Sequence, residues 1–441
     1  MIKPFFHTLA NGLRVVCVEM PHLHAAELAI YVKVGGRNDP PGREGLSHFL
    51  EHILFRGTAD YTSSLEIETA FEAVGGAPNA ATDAESTCYY SRVHPAHVRQ
   101  GMDIFASMLL RPLLEGIEVE QRIITEEARE DLNEQGDEIN PDTIASRLLW
   151  PRHPLGMPTI GSLESIAAIG RTDLEAHLQR YYVPSATVVV VAGPVCNHEV
   201  FVAAGEVFNG WQGSAPPATR LVNRRNTAPQ IRFVRDSDSQ MNLQLAFLGF
   251  PRGDRRFMAV RLLRRILAGG GSSRLHLRLR EELGIIYSVE GAIGAYDETG
   301  CLTFDLSTAP NNLHQAVEVS LGEIGRIASE PVTAAELERV RHSYIFDLEY
   351  SRDSAYEMGV RYGWGELIGI KRSIEEDQEE ARRITVDVLQ EAARDLFAPQ
   401  NLNLVVVGPN KMGMKKTIRE LVARYAEGFN SYPGPAGQFT R

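Results

Sequence analysis

Only four of the 441 residues are cysteine: Cys17, Cys88, Cys196 and Cys301. They are widely scattered and none belongs to a CxxC or CxxH pattern, so neither a disulfide framework nor a thiolate zinc site is indicated. They read as small buried hydrophobes. Long apolar runs are also missing. No stretch approaches the roughly 18 apolar residues of a bilayer span, and the longest, Thr187 to Ala192 with its neighbours, is strand-sized. The opening MIKPFFHTLANGLRVV lacks the basic flank and apolar core of a signal peptide, so cytoplasmic residence and no membrane partner are expected. Basic charge is in deficit, 45 Lys and Arg against 57 Asp and Glu, a formal charge of −12. This argues against a nucleic-acid partner and mildly favours cationic ligands.

What is present is an ordinary globular composition, 44% hydrophobic and 23% charged, in a chain too long for one domain. Strands are predicted over Gly12 to Val18 and Ala26 to Val34. The loop GGRNDPPGREG then leads into a helix carrying His48-Phe49-Leu50-Glu51-His52. Helical spacing over Ser63 to Val74 stops at Gly75-Gly76. Asn79 to Tyr90 reads as a strand, and amphipathic helices follow over His97 to Leu110 and Glu118 to Glu134.

The chain also repeats itself. PSATVVVVAGP at Pro184 to Pro194 is similar to PQNLNLVVVGP at Pro399 to Pro409, an offset of 399 − 184 = 215, about half the length. GLSHFLEHILFRGT has a rough counterpart in AVRLLRRILAGGG, an apolar-faced helix without histidine. The expected architecture is therefore α+β, with two homologous halves, each an antiparallel-type sheet covered by helices. The boundaries are residues 1–213 for a metal-bearing half, 214–229 for a Gly/Pro/Ser-rich linker, and 230–441 for a metal-free half.

Residues four apart on a helix lie one turn above each other, so His48 and His52 can direct two imidazoles at one ion. Glu51, on nearly the same face, can reach a metal-bound water as general base. A catalytic zinc needs a third protein ligand. The acidic helix EVEQRIITEEAREDLNE offers several carboxylates. Glu126, Glu130, Asp131 and Glu134 read as solvated charges, whereas Glu120 and Glu127, seven apart, share a face; Glu127 is a candidate ligand and Glu120 a helper.

These residues resemble the inverted-motif zinc metallopeptidase family that contains pitrilysin, insulin-degrading enzyme and the mitochondrial processing peptidase. HFLEH followed by LFRGT is similar to the family's HxxEH-x-x-F-[KR]-G-T. The family's third ligand, a glutamate about 75 residues on and preceded by an acid seven residues earlier, matches Glu127 and Glu120, since 127 − 52 = 75. Asn79, Ala80, Ala81 and Thr82 resemble the edge strand on which an extended substrate pairs. LAGGGSSRLHLRLREELGIIYSV is similar to the family's second-half signature and carries over Arg280 and Tyr287 as a substrate-contacting pair. Taken alone, Arg280 reads as a surface charge and Tyr287 as a core residue.

The resemblance implies a zinc endopeptidase with one Zn2+ per chain on His48, His52 and Glu127, Glu51 as base, and Glu120, Arg280 and Tyr287 in support. Its substrates would be unfolded or extended peptides inside a chamber formed by two chains. A homodimer is expected, with a heterodimer with a zinc-free homologue as the alternative. The competing readings are the catalytic subunit of an obligate heterodimer that processes a specific precursor, and a noncatalytic core subunit. The short loop at Gly269 to Gly271 differs from the extended glycine-rich loop of the processing peptidase's noncatalytic subunit, which puts presequence cleavage in doubt.

Overall fold

A computed structural model describes residues 3–222, 227–409 and 412–430; of the expected 214–229 linker, residues 223–226 lie outside this set. The chain forms two compact units. The first comprises the residues up to Glu130, Met157–Arg220 and Asp347–Glu376, and the second Asp131–Gly156, Leu221–Phe346 and the residues from Asp377.

The first half begins β1 (Pro4–Thr8), β2 (Arg14–Glu19), β3 (Ala26–Val32), α1 (Leu46–Ile53), α2 (Ser64–Ala73), β4 (Asn79–Thr82) and β5 (Thr87–Val93). It continues through α3 (Val98–Leu110), α4 (Ile117–Glu130), α5 (Pro141–Leu149), α6 (Leu163–Ala168), α7 (Arg171–Tyr181), β6 (Thr187–Gly193) and α8 (Asn197–Phe208). The second half opens with β7 (Gln230–Arg235), β8 (Met241–Gly249), α9 (Phe257–Ala268), α10 (Arg274–His276), β9 (Ile286–Ala295) and β10 (Gly300–Thr308). Then come α11 (Leu313–Ser329), α12 (Ala334–Tyr350), α13 (Ala355–Gly359) and, after further helices, β11 (Leu402–Gly408).

The repeated Pro-to-Gly segments occupy the same place in two sheets. One sheet has the order β1-β2-β6-β3-β5-β4 and the other β7-β11-β8-β10-β9. In the first, β6 runs parallel to β2 and antiparallel to β3; in the second, β11 runs parallel to β7 and antiparallel to β8. Every residue of β6 and β11 is buried, which is why both read as continuous apolar runs and not as alternating patterns. The α+β architecture in two similar halves is the one expected, with one parallel pair in each otherwise antiparallel sheet.

The sequence order of the halves is not their spatial order throughout. α5 packs on β8 and β11 within the second unit, and α13 packs on β3 and β6 within the first. Each sheet thus has one face covered by a helix that the other half of the sequence supplies. A second difference concerns Asn79 to Tyr90, which is a hairpin and not one strand. Asp83 accepts hydrogen bonds from the backbone N–H of Glu85 (2.6 Å) and Ser86 (2.7 Å), turning the chain between β4 and β5. Cys17 is buried, but Cys88 and Cys301 are half-buried and Cys196 is exposed, so the expectation of four buried cysteines holds fully only for Cys17.

Candidate metal centre

α1 has two faces with different tasks. Leu46, Phe49, Leu50 and Ile53 are at most 2% exposed and pack into a core that includes Leu28, Ile30 and Val32 of β3 and Phe105 of α3. Burying each such side chain contributes about 1.5–3 kcal/mol, which holds the helix against the sheet. The remaining face carries His48, Glu51 and His52. The start of the helix is held equally firmly. Gly45 has φ +91°, and a Cβ there would lie 2.3 Å from the carbonyl oxygen of Ile160, so only glycine fits. Asp39 accepts hydrogen bonds from the N–H of Gly45 (2.8 Å) and Ser47 (3.0 Å) and from the Ser47 hydroxyl (2.6 Å), a capping carboxylate supplied from the preceding loop. Ser47 Oγ also lies 3.0 Å from Nε2 of the buried His177 on α7. Burial pushes the Asp39 carboxyl up to about 7 despite these bonds and lowers His177 to about 3.

α4 packs on α1 through Ile124 and Ala128, which are buried, and presents Glu120 and Glu127 on the side facing the histidines. Glu127 lies 3.8 Å from Nε2 of His48 through Oε1 and 3.8 Å from Nε2 of His52 through Oε2. One donor atom from each of His48, His52 and Glu127 can be chosen so that all lie within 4.8 Å of one another. Ligands about 2.0–2.1 Å from a tetrahedral ion stand roughly 3.4 Å apart, so the two 3.8 Å contacts lie within tenths of an ångström of that spacing and no pair exceeds it by more than about 1.4 Å. Two imidazoles and one carboxylate form the donor set of known catalytic metal centres. Glu126, the neighbouring carboxylate, instead pairs with Arg129 on the helix surface.

The electrostatics prepare the two rings differently. Burial, with the nearby His52, lowers the His48 pKa to about 4 and keeps that imidazole neutral, the form that donates a lone pair. For His52, burial disfavours charge, but the hydrogen bond to Glu120 and the charges of Glu51, Glu120 and Glu127 outweigh it and raise the pKa. Glu120 is 5% exposed; its Oε2 lies 3.2 Å from Nδ1 of His52 and its Oε1 accepts from Arg56. For its carboxyl, burial acts upward, while His52 and Arg56 prevail and hold the pKa low. Glu51 is buried, which raises its pKa against a hydrogen bond donated by the Thr82 hydroxyl. Thr82 ends β4, whose other edge is open among the described residues, where β4 pairs with β5 alone. Asn79 and Ala81 are exposed along it, and Ala80 and Thr82 half-buried.

In the second unit, Arg280 lies in a wide helical turn, Leu277–Glu282, and Tyr287 at the start of β9. The guanidinium carbon stands 5.3 Å from the Tyr287 ring centroid. Tyr287 is 83% exposed, so its reading as a core residue is wrong. Asp39, His177 and Arg56 escaped the sequence reading. The first two are 138 residues apart (177 − 39), and only the fold brings them to Ser47; Arg56 appeared within LFRGT without a role.

The insulinase model of peptidase family M16 matches residues 14–162 and the model of the M16 inactive domain matches 168–344. The chain therefore belongs to the M16 peptidase family. An uncharacterized zinc protease of Mycobacterium tuberculosis is 30% identical over 429 residues, covering 96% of this chain and 97% of the relative. The uncharacterized zinc protease YmxG of Bacillus subtilis is 29% identical over 413 residues, 93% of this chain and 99% of the relative. A crystal structure of a protease from Helicobacter pylori shares the fold with a TM-score of 0.85 at 20% identity, covering 93% of this chain and all of that one. No helix among the described residues is long and apolar enough to cross a membrane.

Proposed function

We propose that the chain is a zinc-dependent endopeptidase acting on extended or unfolded peptides, with one zinc per chain held by His48, His52 and Glu127. The observation that carries this reading is the convergence of two imidazoles from α1 and one carboxylate from α4, with Glu51 on the same helix face. The names of the two zinc-protease relatives point to the same metal.

Zinc bound there supplies Lewis acidity toward the peptide carbonyl and the attacking water. Glu51 takes a proton from that water and hands it to the leaving amine. Its buried position raises its pKa toward the range in which both transfers are efficient, and the Thr82 hydroxyl fixes its orientation. Glu120 holds His52 in the tautomer that leaves Nε2 free to ligate. The open edge of β4, from Asn79 through Ala80 and Ala81 to Thr82, pairs with the substrate backbone, which restricts cleavage to extended segments. Arg280 and Tyr287 donate hydrogen bonds to substrate carbonyls and to the charge developing on the scissile oxygen.

The proposal includes a homodimer enclosing a chamber, in which the metal group of one chain works with Arg280 and Tyr287 of the partner subunit. The high exposure of Tyr287 supports a role outside its own unit. Unpaired cysteines fit a cytoplasmic location.

Chelator treatment should abolish cleavage of an unstructured peptide and zinc should restore it. Glu51→Gln should retain about one zinc per chain and lose activity by a factor on the order of 100–10,000. Full activity of Glu51→Gln, or chelator-resistant cleavage, overturns the reading.

A further inference from the structure

The face of the first sheet opposite α1 carries an unexpected charge. By register, Glu27, Ala29 and Tyr31 of β3 lie beside Arg92, Tyr90 and Cys88 of β5, with Asn79 and Ala81 of β4 next in line. α13 covers β3 on this side, and a Cβ at Gly359 would come within 3.9 Å of Glu27 Cγ. Beyond the start of α13 a cavity of about 710 Å³ remains, lined by Glu27, Asn79, Tyr90, Arg92, Asp353 and Tyr356.

Glu27 is 7% exposed, in a strand whose other six residues, AELAIYV without the glutamate, are apolar or aromatic. Among the described residues its carboxylate makes no side-chain hydrogen bond and no ion pair within 4.0 Å. Arg92, its cross-strand neighbour, is exposed and acts on it only as a more distant charge. Burial pushes the Glu27 carboxyl up to about 7, opposed by Arg92. A buried carboxylate compensated only in part is costly, and folding alone would favour an apolar residue here. A cation entering the cavity removes that cost. The walls suit one. The Tyr90 and Tyr356 rings lie 5.9 Å apart and offer π faces, and Asp353 adds a second carboxylate.

The cavity sits at the Asn79 end of the open edge strand, while Thr82 at the other end bonds to Glu51. A peptide added to this edge alternates its side chains between the two faces, and those on the side of Asn79 and Ala81 share a face with Glu27. Asn79 and Thr82 are three residues apart, roughly 10 Å along a strand. Antiparallel addition, the commoner kind, directs the carboxyl-terminal side of the substrate toward Asn79.

We infer that this cavity is a specificity subsite for one lysine or arginine side chain of the extended substrate, roughly three residues to the carboxyl side of the bond cut. The inference rests on the peptidase reading and deepens it with a substrate preference.

The test uses full-length, zinc-loaded protein and a series of neutral twelve-residue peptides in which a single lysine or its uncharged isostere norleucine is moved through successive positions. Cleavage sites are mapped by mass spectrometry. The expected result is a kcat/KM ratio of lysine to norleucine of about tenfold at one position on the carboxyl side, falling to about one in Glu27→Gln and partway in Tyr356→Leu. Tyr356 is 51% exposed, so that second variant is insulated from misfolding. A ratio near one at every position in the native protein, or an unchanged ratio in Glu27→Gln, overturns the inference while leaving the peptidase reading intact. Should no peptide be cleaved, the peptidase reading fails separately. The subsite is then judged by binding of the fluorescently labelled lysine and norleucine peptides to Glu51→Gln and to Glu51→Gln with Glu27→Gln. A lysine preference lost with Glu27 supports the subsite; equal binding, or none, overturns it.

Discussion

Oε2 of Glu120 lies 3.2 Å from Nδ1 of His52, on a carboxylate that also accepts from Arg56, so a residue 68 positions from the histidine sets the direction in which its ring donates. Glu120→Gln keeps the shape but loses the charge that favours the ligating tautomer. Its zinc affinity, measured by competition with a chromogenic chelator, should fall about 10–100-fold with the secondary structure unchanged. Unaltered affinity would remove Glu120 from the site.

Gly45 offers a test of the support beneath α1. Alanine there would combine a positive φ with a Cβ 2.3 Å from the backbone oxygen of Ile160. The strained backbone alone costs about 1–3 kcal/mol, and the chain must also move. Thermal unfolding should shift downward by several degrees, and zinc affinity should fall with it because His48 begins only three residues later. Gly42→Ala is the control: its φ is also positive, +78°, but no atom lies within 4 Å of the added carbon, so it carries backbone strain without the collision.

Asp39 and His177 impose opposite pH dependences on stability. An unfolded histidine takes up a proton near 6.5, but buried His177 refuses it down to about 3, so its contribution is lost as pH falls through that window. Asp39, pushed up to about 7, holds a proton that the unfolded chain has released above roughly 3.9, so its contribution is lost as pH rises from about 4 to 7. Urea unfolding from pH 7 to pH 4 should therefore show Asp39→Asn losing stability more steeply toward acid than the native chain, and His177→Gln less steeply. Slopes that both match the native chain would remove these two groups from the balance.

Complementation tests which chain supplies the second-half pair. Glu51→Gln and Arg280→Ala are each expected to be inactive. Mixed and re-equilibrated in equal amounts, half of the dimers are heterodimers, and each contains one site with native Glu51 and native Arg280 if the pair acts across chains. Recovery of about a quarter of native activity, from random association of two subunits, is the expected outcome. No recovery, despite a dimer in sedimentation analysis, would place the pair in the same chain.

Much of the site was legible because its signals are local. HFLEH is a spacing on one helix, and the seven-residue step from Glu120 to Glu127 is another, both following from 3.6 residues per turn. The choice of Glu127 over Glu126 needed the family resemblance; in the structure Glu126 pairs with Arg129, and Glu127 lies beside the histidines. The repeat was legible because both copies are strands buried on both faces, a condition that leaves an apolar signature. The hairpin at Asp83 was missed because threonine and tyrosine continue on both sides of a turn made by a single aspartate.

The sequence by itself determined the α+β class, the two similar halves and the pairing of His48, Glu51 and His52 on one helix face, since helical and strand periods place these without knowledge of distant contacts, whereas Glu127 was singled out by the family resemblance. Tertiary structure alone decided that Asp39 and His177 meet at Ser47, that Thr82 bonds to Glu51, and that Glu27 faces a cavity between β4 and α13. It also decided that α5 and α13 each serve the sheet of the other sequence half. The reason is physical: these relationships depend on which surfaces must be buried together, and burial is a property of the whole packed chain, whereas periodicity is a property of a few adjacent turns.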